Sequence, residues 1–450
     1  MATFQSLPGF REFYPEDCAA RNGLFNAWRG AARRHGFVEY DAPVLEPLEL
    51  FTEKSGEEIR NQLFEFEDKG GRKVALRPEM TPSLARLVAA QAGSLRKPVK
   101  WFSIGECFRY EKPQKGRLRS FYQFNADILG EAGPGADAEC IALLVESLKA
   151  CGLDEGEFEI RVCDRRFWQW VLNKHFSVPD DKVSGMLPLI DKWERERPEN
   201  TIEKLNTLFE GNSSFAISVK EGVDGVFHRA KHGGIVDQSN ADQANWVSQE
   251  ADGQSNQFGE LWEWLDSLGV KHLVKFDPRI VRGLAYYTGF SFEAFQTVGT
   301  ARALAGGGRY DNLIQKLGGP DMPAVGFAIG DVTVTDLLQE LKRPIGEVNK
   351  PDVYLVIGSE AERRTALKLI SKLRAAGVSV EYPLKDEKYG KQFKAADQVG
   401  AKLALILGPD EVKTQQIKIK DMRSGVEVVV PNNAGLVANV REIAEKGLPA

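Results

Sequence analysis

The chain has 450 residues, with 59 Lys and Arg against 64 Asp and Glu and a formal net charge of −5. That length holds two or three domains, each with its own core, and the mildly acidic balance argues against a protein that coats nucleic acid nonspecifically. No apolar run approaches membrane-spanning length, the N-terminus lacks a signal-peptide pattern, and five scattered cysteines without a C-x-x-C pair argue against a disulfide framework or zinc site, so a cytoplasmic enzyme is expected.

Residues from about Asp17 to His35 carry a helical pattern that stops at Gly36, and the short strand Phe37 to Tyr40 follows, with Pro43 stiffening its exit. Val74 to Arg77 reads as a strand. Thr81 is then expected as an N-cap, with Pro82 in the first helical position. Gly105 to Asp127 reads as two strands of alternating apolar residues joined by a basic loop, which has Pro113 near its start and Gly116 near its middle. Gln123 and Asp127 fall on one face of the second strand. A helix from about Ala136 to Ala150 completes this part.

Residues from about 170 to 256 turn polar and helical and read as an insertion. His228 and His232 stand four apart within it, without the carboxylate spacing of a metal site, so a surface pair is expected. Strand-rich sequence resumes at Lys271 and runs through Gly306, Gly307 and Gly308 to Ile329, which suggests an antiparallel sheet flanked by the earlier helices. Lys342 to Pro351 reads as a linker. After it come the buried strand Val353 to Ile357, a helix from Glu360 to Ala376 with Leu367, Ile370 and Leu373 on its apolar face, Gly377 as its stop, and further strands of a small α/β domain.

Four segments concentrate chemistry. Arg77-Pro78-Glu79-Met80-Thr81 places a carboxylate and a hydroxyl at the mouth of a helix. In the hairpin, arginines flank a loop suited to phosphates, because fixed guanidinium forks bind such anions in pairs of hydrogen bonds. Val281-Arg282-Gly283-Leu284-Ala285-Tyr286-Tyr287 sets an arginine beside glycine before two tyrosines. Gly306-Gly307-Gly308-Arg309-Tyr310-Asp311 is a glycine cluster at an expected strand end that would let a ligand approach the backbone. Each alone has an ordinary structural explanation.

Together and in this order, the R-P-E-x-T, R-x-E-x-P-Q-K-G-R-x-R-x-F-x-Q, V-R-G-L-x-Y-Y and G-G-R-Y-D strings resemble the motifs of the histidyl-tRNA synthetases. The resemblance spans essentially the whole chain apart from the insertion. It implies a multidomain α/β protein: a class II antiparallel β-sheet catalytic domain flanked by helices (1–170 and 257–342), a helical insertion (171–256) and a C-terminal α/β anticodon-binding domain (350–450). It implies histidine–tRNA ligase activity, with L-histidine, ATP accompanied by Mg2+, and tRNA(His) as partners, no protein metal site, and a homodimer built through His35 to Glu46.

By the same resemblance, Glu79, Thr81 and Gln123 receive the α-ammonium of histidine. Asp127 and Tyr287 recognise the imidazole, and Tyr286 and Tyr310 line the same pocket. Arg109 and Arg282 hold the α-phosphate as catalytic arginines, with Glu111 on the adenine side and Arg117 on the pyrophosphate. Lys112, Gln114 and Arg119 meet the acceptor end of the tRNA. The chain departs from the family pattern at Asp127, where glutamate is usual, at Ala285, and at Gly330-Asp331-Val332-Thr333, where the family closes its third motif with G-L-E-R. Arg309 or Arg302 is the expected substitute for that lost arginine on ATP. In the C-terminal domain, Lys388, Lys391 and Lys394 form one stripe, and Gln416, Lys418 and Lys420 another, both suited to RNA phosphates. The other reading of the resemblance is an inactive paralogue that senses histidine as a regulatory subunit; retention of Arg109, Arg282 and the C-terminal domain favours the active enzyme.

Overall fold

A computed structural model describes residues 4–52, 60–231, 257–281, 286–299, 303–343 and 345–448. Arg282, Ala285, Arg302 and His232 lie outside the described residues. The chain divides into two compact units, 1–347 and 348–450, and the division falls within the linker expected at Lys342 to Pro351.

The first unit is organised by strands β1 (Val38–Glu39), β2 (Leu45–Pro47), β3 (Phe64–Glu67), β4 (Lys73–Leu76), β5 (Val99–Phe108), β6 (Ser120–Leu129), β7 (Phe158–Asp164), β8 (Val274–Phe276), β9 (Phe290–Gln296), β10 (Ala303–Arg309) and β11 (Ala324–Gly330). Eight of them form one sheet in the order β1-β5-β6-β11-β10-β9-β7-β8, while β2, β4 and β3 form a small separate sheet. The interior of the large sheet is antiparallel, as expected. Its two outer pairs, β1 with β5 and β7 with β8, are parallel. In each of these the chain passes through a helix before it returns, which is the connection that a parallel neighbour requires.

One face of this sheet is apolar and covered by helices. The helix Pro15–Arg34 starts with Pro in its first turn, and Asp17 accepts a hydrogen bond from the Tyr14 backbone N–H at 3.3 Å. Leu24, Phe25, Trp28, Ala31 and Ala32 are buried along one side of it. Trp28 stacks on Phe124 of β6 at 5.6 Å between ring centres, and the helix Pro134–Ala150 extends the same core. The expected cap at Thr81 is displaced by one residue: Thr81 is already the first helical residue of Thr81–Gln91, and no side chain caps that end. Pro82 fits the first turn because it lacks an N–H.

The opposite face is built from small residues. Registers place Trp101, Asp127, Gly326 and Gly308 in one row across β5, β6, β11 and β10, and Ser103, Asn125, Ala328 and Gly306 in the next. A Cβ on Gly326 would lie 1.8 Å from Asp127 Oδ1, and one on Gly308 would lie 2.9 Å from the Tyr287 ring. The glycine cluster therefore sits within β10 rather than at its end, and it admits neighbouring side chains onto the sheet.

Helices follow β7 without a break. Asp164 caps the first, Arg165–Trp170, by accepting from the Arg166 N–H at 2.9 Å. This helix and the described helices up to Lys231 share an apolar cluster of their own that includes Trp168, Met186, Leu205, Val223 and Phe227, together with Ile280 and Val281. Trp168 Nε1 donates to the Pro278 carbonyl at 2.7 Å, and Arg165 donates to the carbonyl of Tyr287.

The second unit is a five-stranded sheet of β12 (Val353–Ile357), β13 (Val380–Glu381), β14 (Leu403–Leu407), β15 (Gln416–Asp421) and β16 (Glu427–Pro431), ordered β13-β12-β14-β15-β16. Its helix Glu360–Ala375 buries Ala366, Leu369, Ile370 and Leu373, whereas Leu367 is 41% exposed and does not belong to the apolar face expected for it. Helical periodicity explains the shift: 366, 369, 370 and 373 follow the i, i+3, i+4, i+7 stripe, and 367 lies beside it.

Replacing Gly326 by Ala is expected to destabilise the protein by about 3 kcal/mol, because the new carbon meets a carboxylate and the backbone of Ala126 rather than a yielding side-chain end. Urea unfolding of the full chain measures this, and a loss below about 0.5 kcal/mol would contradict the packing described.

Candidate active site

The small-residue face of the large sheet carries two polar centres beneath a group of tyrosine rings. At the first, Tyr286 Oη donates to Glu79 Oε2 at 2.7 Å, with both residues buried, and the Thr81 hydroxyl also bonds Tyr286. At the second, Tyr310 Oη donates to Asp127 Oδ1 at 2.6 Å. The rings of Tyr286 and Tyr310 lie 6.0 Å apart and those of Tyr286 and Tyr287 lie 5.2 Å apart, so aromatic faces join the two centres. Gln123 belongs to the same face and receives a weak hydrogen bond from the Cys107 thiol at 3.6 Å. Burial pushes that thiol up to about 12, so it remains a neutral donor.

Asp127 is 3% exposed. Burial pushes its carboxyl up to about 7, and the Tyr310 hydrogen bond offsets only part of that rise. Such a carboxylate is poised to accept a proton donor and gains from a positive charge brought to it.

Farther along β5, the guanidinium of Arg109 lies 5.2 Å from the centre of the Phe121 ring, and its Nε donates to the Pro78 carbonyl at 3.1 Å. Its two terminal nitrogens are unengaged among the described residues. Beyond it, Gln114 and Arg117 bridge each other through both backbone hydrogen bonds and fold the loop into a tight turn, with Gly116 at φ +75°. Arg117 pairs with Glu111 at 3.2 Å, Arg119 donates to the Glu111 carbonyl at 3.1 Å, and Lys112 and Gln114 point outward as exposed residues. A polyphosphate fits this end of the site: a guanidinium with free donors stands beside a row of cations that are exposed or half-buried.

Arg309 does not fit the role expected for it on ATP. It is 6% exposed, and its five N–H donors are all engaged, by Asp137, Asp311 and the carbonyls of Glu131 and Gly133. Asp137 is fully buried and is pushed by that burial to about 6, with Arg309 opposing the rise. The pair braces the sheet against the helix Pro134–Ala150. Arg302, the other substitute, lies outside the described residues, as does Arg282.

The family model for histidyl-tRNA synthetase matches residues 9–333, and an anticodon-binding domain model matches residues 352–442. The chain belongs to the histidyl-tRNA synthetase family. It is 48% identical over 431 residues to a histidine–tRNA ligase of Opitutus terrae, covering 96% of this chain and 97% of that protein. It is 36% identical to the histidine–tRNA ligase of Haloarcula marismortui, with 96% of each chain covered. In fold, the crystal structure of histidyl-tRNA synthetase from Nostoc sp. PCC 7120 matches with a TM-score of 0.73 at 24% identity, covering 98% of this chain and 100% of that one. The chain is thus an aminoacyl-tRNA synthetase, a histidine–tRNA ligase by family, with a class II catalytic sheet and a separate anticodon-binding fold.

Sequence reading of this synthetase brought out Glu79, Thr81, Gln123, Asp127, Tyr286, Tyr287 and Tyr310, which the fold gathers on one face. It missed Tyr40 and Ser103. Both stand beside Asp127 on that face; Tyr40 lay in a short strand assigned to the subunit contact, and Ser103 fell just before Gly105, where the hairpin was taken to begin. The alternation of glycine and alanine in Ala324 to Gly330 was the visible sign of a floor meant to hold something above it.

Two outcomes follow from the buried carboxylates. Asp127 binds its proton more tightly folded than unfolded, so its contribution to stability is present at low pH and fades as pH rises from about 4 to about 7. Asp127→Asn lacks that slope; its melting temperature relative to the parent should rise steadily across this window, and a constant difference would contradict the burial argument. Arg309→Met leaves Asp137 buried and unpaired and should lower unfolding free energy by about 3–5 kcal/mol, with part of the loss recovered in the Asp137→Asn, Arg309→Met double variant, as urea titration would show.

Proposed function

We propose that histidine lies across the tyrosine cluster, with its α-ammonium at Glu79, Thr81 and Gln123 and its ring at Asp127, Tyr287 and Tyr310. Tyr286, bonded to Glu79, fixes the acceptor carboxylate. The observation that carries this reading is a pair of buried carboxylates, each tied to a tyrosine hydroxyl, whose tyrosine rings lie 6.0 Å apart. A small amino acid with a cationic end and a polar ring matches that spacing of charge and hydrogen bonding.

ATP takes the Arg109 end, with Mg2+ accompanying its phosphates, Glu111 on the adenine side and Arg117 on the departing pyrophosphate. The histidine carboxylate attacks the α-phosphorus in line, a P–O bond forms to the amino acid, and the bond to pyrophosphate breaks. Negative charge grows on the α-phosphate oxygens, where Arg109, whose terminal nitrogens are free among the described residues, and Arg282 stabilise it. The terminal ribose hydroxyl of the tRNA then attacks the adenylate carbonyl, forming the ester and releasing AMP. Lys112, Gln114 and Arg119 meet the acceptor end. In the second unit, Lys388, Lys391 and Lys394 are exposed on one helix, and Lys418 and Lys420 stand on the face of β15 opposite the buried Ile417 and Ile419. Lys420 Nζ lies 5.8 Å from the ring of Phe393 on that helix, which puts the two stripes on neighbouring elements, where both are proposed to meet RNA phosphates.

The homodimer is proposed to use the segment His35 to Glu46. Val38 is 63% exposed on β1, the edge of the large sheet, and Val44, Leu45 and Phe66 are exposed near it, an apolar edge that pairing would cover. No helix among the described residues is long and apolar enough to cross a membrane, and all five cysteines are free thiols, which supports a reducing, cytoplasmic setting.

Histidine-dependent exchange of pyrophosphate into ATP tests the assignment. The parent protein should exchange, and Arg109→Ala should lower kcat by about 10²–10³-fold. No exchange in the parent would overturn the reading in favour of a regulatory paralogue, and exchange that does not need histidine would overturn the assigned substrate.

A further inference from the structure

Two hydroxyls beside Asp127, Tyr40 Oη and Ser103 Oγ, are buried and face each other; neither makes a hydrogen bond of normal geometry among the described residues, and a weak one between the two is all they have. Leaving such groups unpaired is unfavourable, and native proteins keep few of them, so each calls for a reason. Ser103 is fully buried on β5, in the row next to Asp127. Tyr40 follows β1, and its N–H donates to the Phe102 carbonyl at 2.8 Å, which continues the parallel ladder and sets Tyr40 opposite Ser103 on the same face. Its ring packs 5.7 Å from Trp101, the residue opposite Asp127. Burial, and next the nearby Asp127 charge, raise the Tyr40 hydroxyl well above its ordinary range, so it stays a protonated donor. Asp127 itself uses only Oδ1, toward Tyr310, among the described residues.

The chemistry of the ligand supplies the missing partners. A neutral imidazole has one N–H, which needs an acceptor, and one bare ring nitrogen, which needs a donor. A carboxylate answers only the first. Hydroxyls can donate, and the Tyr40–Ser103 pair stands beside the carboxylate, where a bond between the two uses one O–H and leaves the other to donate. We propose that Tyr40 and Ser103 are specificity-determining residues of the histidine pocket, donating toward the imidazole that Asp127 engages and so selecting a ring with two nitrogens. This rests on the assignment of Asp127 to the imidazole. It gives the segment around Tyr40 a second duty besides the proposed subunit contact.

Pyrophosphate exchange with Tyr40→Phe, Ser103→Ala and the double variant tests it, using L-histidine and, as a competing substrate, L-β-(2-thienyl)alanine, whose ring has a similar size and no nitrogen. Each single change should raise KM for histidine by about 3–10-fold, the worth of one hydrogen bond. kcat should stay within about threefold and KM for ATP should be unchanged. The preference for histidine over the thienyl analogue, in kcat/KM, should fall by a similar factor. A merely structural role would lower the melting temperature and leave that preference intact. Unchanged histidine KM and unchanged preference in a folded double variant would overturn the proposal. Ser103→Ala, the smaller change, decides the matter if Tyr40→Phe does not fold. Asp127→Asn separates the two readings: if it leaves histidine KM untouched, the imidazole assignment itself fails, whereas a large effect there with none at Tyr40 and Ser103 defeats only the inference drawn here.

Discussion

The pocket depends on the absence of side chains at two points of the sheet. Gly326 and Gly308 lie in one row with Asp127, and any carbon on Gly326 would occupy the position of the Asp127 carboxylate. With both positions empty, the carboxylate rests on β11 and the Tyr287 ring rests on β10. The sheet thus becomes a floor whose depth is set by missing atoms. Its other face is the reverse case, where Phe102, Phe124, Phe327 and Phe292 fill the space under the helices. One sheet serves both purposes because successive residues of a strand point to opposite sides.

Electrostatics adds a second contrast. Asp127 and Asp137 are both buried and both pushed upward by that burial, yet they are completed differently. Asp137 is met by the full fork of Arg309 within the protein. Asp127 is met by one tyrosine hydroxyl and retains an oxygen unengaged among the described residues. The first pair is closed and therefore structural. The second is open, and an incoming ligand with a donor completes it. Burial alone does not separate a brace from a site; the state of the remaining hydrogen-bonding capacity does.

Much of this was legible in the sequence, because the motif strings fix identity and the alternation of the strands fixes faces. Gln123 and Asp127 fall on the face anticipated for them, and Val353–Ile357 and Leu403–Leu407 have the expected limits. What could not be read depended on neighbours far along the chain. Arg309 resembled a free phosphate ligand until Asp137, 172 residues away, was found to hold it. Tyr40 looked like an ordinary strand residue because only the parallel pairing of β1 with β5 brings it beside Ser103. Leu367 was misplaced by local periodicity, which resolves a helix face to within about one residue and no better.

The helical insertion has one further consequence. Val281 belongs to the apolar cluster that the insertion shares with the helix Arg165–Trp170, and Arg165 of that helix holds the carbonyl of Tyr287, so both flanks of 282–285 are tied to the base on which the insertion stands. The insertion is therefore not an ornament that can be cut away to leave a working catalytic core. Even its later helix Ser213–Lys231 reaches that base, where the Phe227 ring lies 6.0 Å from Trp168, so only the exposed faces of its helices are free to change with whatever they meet. Across related chains, sequence drift should be graded by face, from fast at its exposed residues to slow at Leu205, Val223 and Phe227.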